Sequence, residues 1–234
     1  MSESKKYRQK REVSRLGLQT FFLNVENNHY DFGANKLIKD LEKKLAELET
    51  QIESDIKEPG YMKHMEIYFL KKELFAISEM KILYSYKHFE THLKFLLKAS
   101  YQEIKESRLY KWEFVEDFLK SKKINPKEIT DYAEMRDLRN LNNAIKHARN
   151  IIDNKTKNIK EFQNKTELKY TDLLEFYKRV EDSGLNFLKS LSNEIDKDLY
   201  EFNEDRLDKI SEKLVSRMDA KTINKLIDKL ESKK

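Results

Sequence analysis

Within the stretch DYAEMRDLRNLNNAIKHARNII, residues 131–152, four side chains have the types and spacing for chemistry: Arg136, Arg139, Asn143 and His147. They step by three, four and four positions, so on a helix they form one row in which neighbours touch. An imidazole with a pKa near about 6.5 accepts and returns a proton at neutral pH. A guanidinium holds an oxyanion through paired hydrogen bonds. A row of this kind therefore predicts proton transfer beside a bound anion. The plain structural alternative has Arg139 paired with Asp137 or with a partner helix, Asn143 bonded to backbone and His147 half buried.

The row needs a helix, and the helix needs something to pack on. Met135, Leu138, Leu141, Ile145, Ala148 and Ile152 follow the three-four rhythm of a buried stripe, which predicts one helix through the whole stretch. The most apolar segment, Met62 to about Tyr101, carries Ile67, Leu70, Leu74, Phe89, Leu93 and Leu97 over more than one face, as a core helix packed on several sides would. A break near its middle is expected. Within it Glu90, between Phe89 and Thr91, is placed at the rim of the core to pair with an Arg or His from another helix. His88 and His92 stand at i and i+4, but HFETH lacks a third ligand at fixed spacing and is not the HExxH arrangement, so no metal site is expected.

The remaining elements follow in order. Residues 1 to about 12, with Lys5, Lys6, Arg8, Lys10 and Arg11, read as a solvated basic tail, and Leu16 to Phe32 as an aromatic arm. Leu37, Leu41, Leu45, Leu48, Ile52 and Ile56 recur in a coiled-coil-like pattern that predicts an antiparallel hairpin with the core helix, turned at Glu58-Pro59-Gly60. A short amphipathic helix runs from Trp112 to Lys120, and Asn125-Pro126 starts the approach to the row, with Asn125 as the cap. DNKTKNIKEFQNKTELK, from Asp153, reads as a loop or mobile insertion, Tyr170 to Leu199 as one further bundle helix, and Leu207 to Leu230 as a tail of one or two short helices.

Composition sets the class. Only 4 Gly and 2 Pro among 234 residues leave few positions for tight turns, and with the helical periodicity this predicts an all-α helical bundle. The expected organisation is a basic tail and arm at 1–33, a bundle at 34–200 and a C-terminal helical tail at 201–234. Zero cysteines exclude disulfides, thiolate metal sites and a cysteine nucleophile. Charged residues make up 38% of the chain and the mean hydropathy is -0.85, with no apolar run near the about 20 residues of a membrane span. The opening MSESKKYRQKREV has basic residues but no apolar core behind them, so a cytoplasmic protein without signal peptide is expected. A net charge of +5 is too mild to identify a nucleic-acid partner by itself.

The order of parts resembles the HEPN superfamily. The resemblance covers about Met62 to Leu199: a core helix reading LYSYKHFETHLKFLL, a short helix after Trp112, an Arg-Asn pair leading through NNAIKHA to a histidine, then another long helix. It implies a helical bundle and, in active members, a metal-independent endoribonuclease of a prokaryotic toxin or antiphage defence system, with two motif helices meeting across a dimer. Carried over, Arg139 stands for the motif Arg, Asn140 for the polar residue after it and His147 for the His. The family gap between Arg and His is four to six residues; here seven separate them, and the residue five before His147 is Asn142.

The resemblance implies RNA as partner and no cofactor. Cleaving RNA without a metal requires removing the 2′-hydroxyl proton and stabilising charge on the phosphate. Arg139, Asn143 and His147 are the expected catalytic residues, with Glu90, Arg136, Asn140 and Lys146 supporting. Along a straight helix Arg139 and His147 stand about 12 Å apart, so a homodimer or hetero-assembly through the motif helix is expected to bring Arg139 of one chain beside His147 of the other. A catalytically silent HEPN-like module that binds RNA or serves as a defence-complex adaptor is the second expectation, and a helical scaffold the third.

Overall fold

The computed structural model describes residues 3–21, 29–54, 60–101, 103–147 and 154–233. The described residues are helices joined by turns, with no strand among them. The protein is an all-α helical bundle, as the scarcity of Gly and Pro predicts. None of the helices, among the described residues, is long and apolar enough to cross a membrane.

Contacts divide the chain into two compact units, residues 25–190 and residues 1–24 with 191–234. The larger unit is built on one helix. Helix α3 (Tyr61–Ser100) runs for 40 residues after α1 (Glu3–Gln19) and α2 (His29–Ser54). The expected break in its middle is absent: no Gly or Pro stands between 61 and 100 to remove a hydrogen bond or relax the backbone. It packs against α2, against α5 (Tyr132–His147) and against α6 (Tyr170–Val180). Burying Leu74, Ile82, Phe89, Leu93 and Leu97 on several faces is what a helix flanked this way requires.

Helix α2 lies antiparallel to α3, since Lys71 reaches Glu49 at 2.8 Å while Lys81 reaches Asn35 at 2.5 Å. Ile38, Leu45, Leu70 and Leu74 form the apolar seam, joined by Tyr170 and Leu174 of α6. The expected turn at Glu58-Pro59-Gly60 lies outside the described residues except for Gly60. At the other end of the seam a lysine is buried. Lys81 is only 4% exposed and pairs with Asp31 at 3.1 Å, under the Tyr177 ring at 4.1 Å. The ammonium donates to Asn35 and Tyr177 donates its hydroxyl to the second Asp31 oxygen, so the buried lysine is both paired and hydrogen-bonded, the condition on which an ammonium tolerates burial.

Helix α4 (Trp112–Ser121) covers the far end of α3. Its Trp112 joins Phe89 of α3 and Phe187 of α7 (Ser183–Tyr200), with Phe89 and Phe187 edge to face at 5.3 Å. The single helix expected from Tyr170 to Leu199 is two, α6 and α7, turned at Glu181 and Asp182. Asp182-Ser183-Gly184 is poor helix interior and good helix start, which is the local reason for the turn. A Cβ on Gly184 would sit 3.7 Å from Phe89, an ordinary contact.

The segment after the motif helix, read as a loop or a mobile insertion, is an anchored loop over its described residues. Residues 148–153 lie outside the described residues, but from Thr156 onward two 3-10 turns, Thr156–Asn158 and Lys160–Phe162, are packed down. Ile159 and Phe162 are at most 1% exposed. Two apolar side chains among Lys and Asn were signal enough for an anchored turn. Glu161 accepts from Arg179 of α6 at 2.6 and 3.0 Å, and Arg179 also reaches Asp137 of α5 at 3.2 Å, tying three elements together.

In the smaller unit, residues expected as a basic tail form helix α1 from Glu3. Leu18 is buried, Arg15 donates to both Asp196 oxygens at 3.1 and 3.2 Å, and Ser192 donates to the Leu18 carbonyl at 2.5 Å. Apolar anchors one per turn near its end give this basic helix something to pack with. Of the expected arm, residues 22–28 lie outside the described residues, and α2 begins at His29. Helices α8 (Glu204–Val215) and α9 (Ala220–Glu231) are capped by Asn203 and Asp219 and contain no fully buried residue.

Candidate functional site

Helix α5 is set by the turn before it. Asn125 accepts from the Lys127 amide at 3.2 Å and caps the 3-10 turn Pro126–Glu128, not α5 itself. Asp131 then adopts a left-handed φ of 58°, a conformation Asp tolerates, and its carboxylate takes a hydrogen bond from Asn186 at 2.9 Å. From there Met135, Leu138, Leu141 and Ala144 face the core, as the periodicity predicts, and Ile145 is half-buried. Asn142 joins them at 1% exposure.

Where α5, α3 and the start of α4 meet, a cavity of about 240 Å³ opens. From α5 it is lined by Arg139, Asn142, Asn143 and Lys146. Helix α3 contributes Tyr86, Phe89, Glu90 and Leu93, and the segment entering α4 contributes Tyr110, Lys111, Trp112 and Glu113. It is smaller than the about 300 Å³ at which pockets for drug-sized ligands begin. A nucleobase or a ribose with its phosphate is of suitable size.

The polar groups around it are specifically arranged. Arg139 donates to Glu113 at 3.0 Å, and its guanidinium lies 5.7 Å from the Trp112 ring centre. A hydrogen bond from its own backbone amide holds the Glu113 carboxyl below the usual carboxylate range, and Arg139 adds to this. Trp112 donates its indole N–H to Glu116 at 2.6 Å, and the Tyr132 hydroxyl donates to the same oxygen at 2.5 Å, which fixes the ring plane. Burial, helped by the nearby Glu90 charge, pushes Tyr86 up to about 12, so its phenol stays protonated in the cavity wall. Glu90 pairs with Lys94 at 3.2 Å, and Lys94 lies 3.6 Å from the centre of the Tyr110 ring.

Asn142 is the group whose needs are unmet. Its amide donates to the Asn143 side chain at 3.2 Å, but its own oxygen is buried without a partner among the described residues. An orphaned buried acceptor of this kind costs about 1–3 kcal/mol, and it stands in the cavity lining.

The expected row is thus split. Arg139 and Asn143 enter the cavity, joined by Lys146 and Glu90. His147 is exposed at the last residue of α5 and is not among the lining residues. Arg136 is exposed with Asp137 as its nearest carboxylate at 3.7 Å, and Asn140 is half-buried outside the lining. The structural alternative holds for Arg139, which pairs with Glu113 of the neighbouring helix α4, and needs amending for Asn143, which meets a side chain rather than backbone, and for His147, which is exposed rather than half-buried. Sequence reasoning missed Tyr86, Trp112, Glu113 and Asn142. Tyr86 had a signal, one helical turn before Glu90, whereas Asn142 falls among apolar positions and reads as an interruption.

Among the described residues no group of three or more His, Asp or Glu is placed to hold a metal ion. His92 Nδ1 lies 2.9 Å from the His88 carbonyl, so that nitrogen is engaged with the helix backbone. Chemically the site offers cations, two carboxylates, a neutral phenol, a fixed indole and an amide lacking a donor. It suits a planar polar ligand that carries an anion. Compared with protein-family models, with curated proteins and with solved structures, the chain matches none.

Proposed function

We propose that this cavity is the nucleotide pocket of an HEPN-like RNA-binding module, working in the cytoplasm as a subunit of a prokaryotic defence complex. The observation that carries the reading is the composition of the lining. Arg139, Lys146 and Lys111 supply phosphate-binding charge, Trp112 supplies a face for a base, and the orphaned Asn142 oxygen accepts from a base or ribose donor. Among the described residues no histidine lines the pocket, and the position at the family's Arg spacing from His147 holds Asn142. Binding is therefore favoured over chemistry within one chain. Fluorescence anisotropy with labelled single-stranded RNA is the test: Arg139→Ala and Lys146→Ala should each weaken binding about tenfold, the effect of a lost charged hydrogen bond. Unchanged affinity in both variants removes the reading.

A second reading, a metal-independent endoribonuclease, is favoured by the exposure of His147 at the end of α5, where another chain can reach it. Under it RNA cleavage persists in chelator, and His147→Ala lowers the rate by about two orders of magnitude or more, as loss of a general acid-base group does. Cleavage by His147→Ala at the wild-type rate excludes it.

A further inference from the structure

The segment around the start of α4 that helps wall the cavity also helps wall a second hollow, through different residues. Glu103, Ile104, Lys105, Arg108, Phe114 and Phe118 line a groove of about 310 Å³ along α4 and the turn before it. The segment 108–115 alternates between the two: Tyr110, Lys111, Trp112 and Glu113 face the cavity, while Arg108 and Phe114 face the groove.

The groove's side chains are stacked. The Arg108 guanidinium lies 4.3 Å from the centre of the half-buried Phe114 ring. Lys122 lies 5.3 Å from the centre of the Phe118 ring and 4.8 Å from that of Tyr101, and Phe118 meets Tyr101 edge to face at 5.1 Å. With Lys94 on Tyr110 and Arg139 on Trp112, basic groups lie over aromatic rings around both hollows. The local carboxylates are mostly taken: Glu103 pairs with Lys122 at 2.6 Å and Glu106 with Lys98 at 2.5 Å. Lys105, Arg108 and Lys111 make no ion pair among the described residues. Half-buried aromatic rings capped by cations, beside uncompensated positive charge, are the components with which proteins hold the bases and phosphates of a single strand irrespective of sequence.

We infer that the Arg108–Phe114–Phe118 groove is a second subsite for single-stranded RNA, stacking a base neighbouring the one in the cavity while Lys105 and Lys111 hold the connecting phosphates. This rests on the RNA reading of the cavity and extends it from one nucleotide to a strand that reaches both hollows. The base slides against Phe114, with Arg108 moving from the ring to the base or its phosphate.

The experiment compares a labelled uridine dinucleotide with a uridine octanucleotide by anisotropy. The wild-type chain should bind the octamer at least about tenfold more tightly. Phe114→Leu, which keeps apolar volume but removes the ring, should weaken octamer binding by roughly five- to 150-fold, the range a lost base stack covers, and leave the dinucleotide unaffected. Phe114→Tyr restores the ring and should restore binding. Arg108→Gln should weaken the octamer and lower the salt dependence of its binding. Octamer binding that is no tighter than dinucleotide binding, or equal in Phe114→Leu and wild type, overturns the subsite. A deoxyuridine octamer bound as tightly as RNA overturns the assignment to RNA. Failure of the wild-type chain to bind either RNA overturns the cavity reading itself, and the groove falls with it, an outcome visible before any variant is made.

Discussion

At the scale of single residues, Asn142 is where the proposed binding role would set stability against affinity. An amide at 1% exposure whose oxygen meets no donor is a cost the fold carries unless a ligand supplies the hydrogen. Replacing Asn142 by Leu, similar in size and free of polar atoms, removes the orphan together with the bond to Asn143. Stability to chemical denaturation should stay within about 1 kcal/mol of wild type or rise, because exchanging both polar needs for apolar contact is near neutral. RNA affinity should fall about tenfold at the same time. A large loss of stability would identify Asn142 as a structural residue instead. Arg139 differs from it: Glu113 already satisfies it, at an exposed position where such a pair is worth little, so a phosphate can displace that carboxylate at small cost.

At the scale of elements, Arg179 decides how α5, α6 and the 3-10 turn after α5 hold together. Burial works to raise the Glu161 carboxyl, but the paired Arg179 hydrogen bonds outweigh it and hold that group below its ordinary value. Asp137 shows the other balance, for there burial prevails over Arg179 and the carboxyl is raised. Arg179→Met should cost about 3 kcal/mol at neutral pH, since it leaves a buried carboxylate without its partner. In the wild type the Glu161 contribution is present above the unfolded carboxylate pKa and is lost as pH falls through the lower folded value. In the variant burial is opposed only by a backbone hydrogen bond and the Lys160 charge, so the folded value rises and the stabilisation by the ionised group is reduced. The difference between the two proteins should therefore be largest near pH 7 and shrink as pH falls below about 4.5. Denaturant titrations of both proteins across pH 3–7 check this, and a gap that widens in acid would refute the assignment.

At the scale of the whole molecule, the endoribonuclease reading requires assembly, because His147 lies outside the cavity that Arg139 enters. If the two groups meet only across a two-fold axis, Arg139→Ala and His147→Ala are each inactive alone. Mixed and allowed to exchange, half of the dimers contain both variants, and each of these holds one intact composite site out of two. The mixture should regain about a quarter of wild-type cleavage. No recovery in an exchanging mixture that otherwise cleaves RNA as wild type would place both residues in one chain's site. Because the cavity is complete within one chain, RNA binding should need no such complementation.

What the sequence determined by itself was local. Scarce Gly and Pro with three-four periodicity dictate helices, the heptad-like leucines dictate the α2–α3 hairpin, and the 131–147 pattern dictates which face of α5 is buried, because backbone hydrogen bonding and burial periodicity act within one element. What the tertiary structure decided was which polar groups meet. His147 shares a helical row with Arg139, but the cavity forms only where α3 and α4 overlap α5, and that overlap ends before the last residue of the helix. Trp112 and Glu113 belong to the site through a packing contact between segments 26 residues apart for the Glu113–Arg139 pair. The unbroken α3 and the division of α6 from α7 were local as well, though the periodicity suggested otherwise: no Gly or Pro interrupts 61–100, and Asp182-Ser183-Gly184 sets the turn at Glu181 and Asp182. Spacing along one helix specifies which side chains share a face, while the ends of the helices packed against that face set how much of it becomes a site.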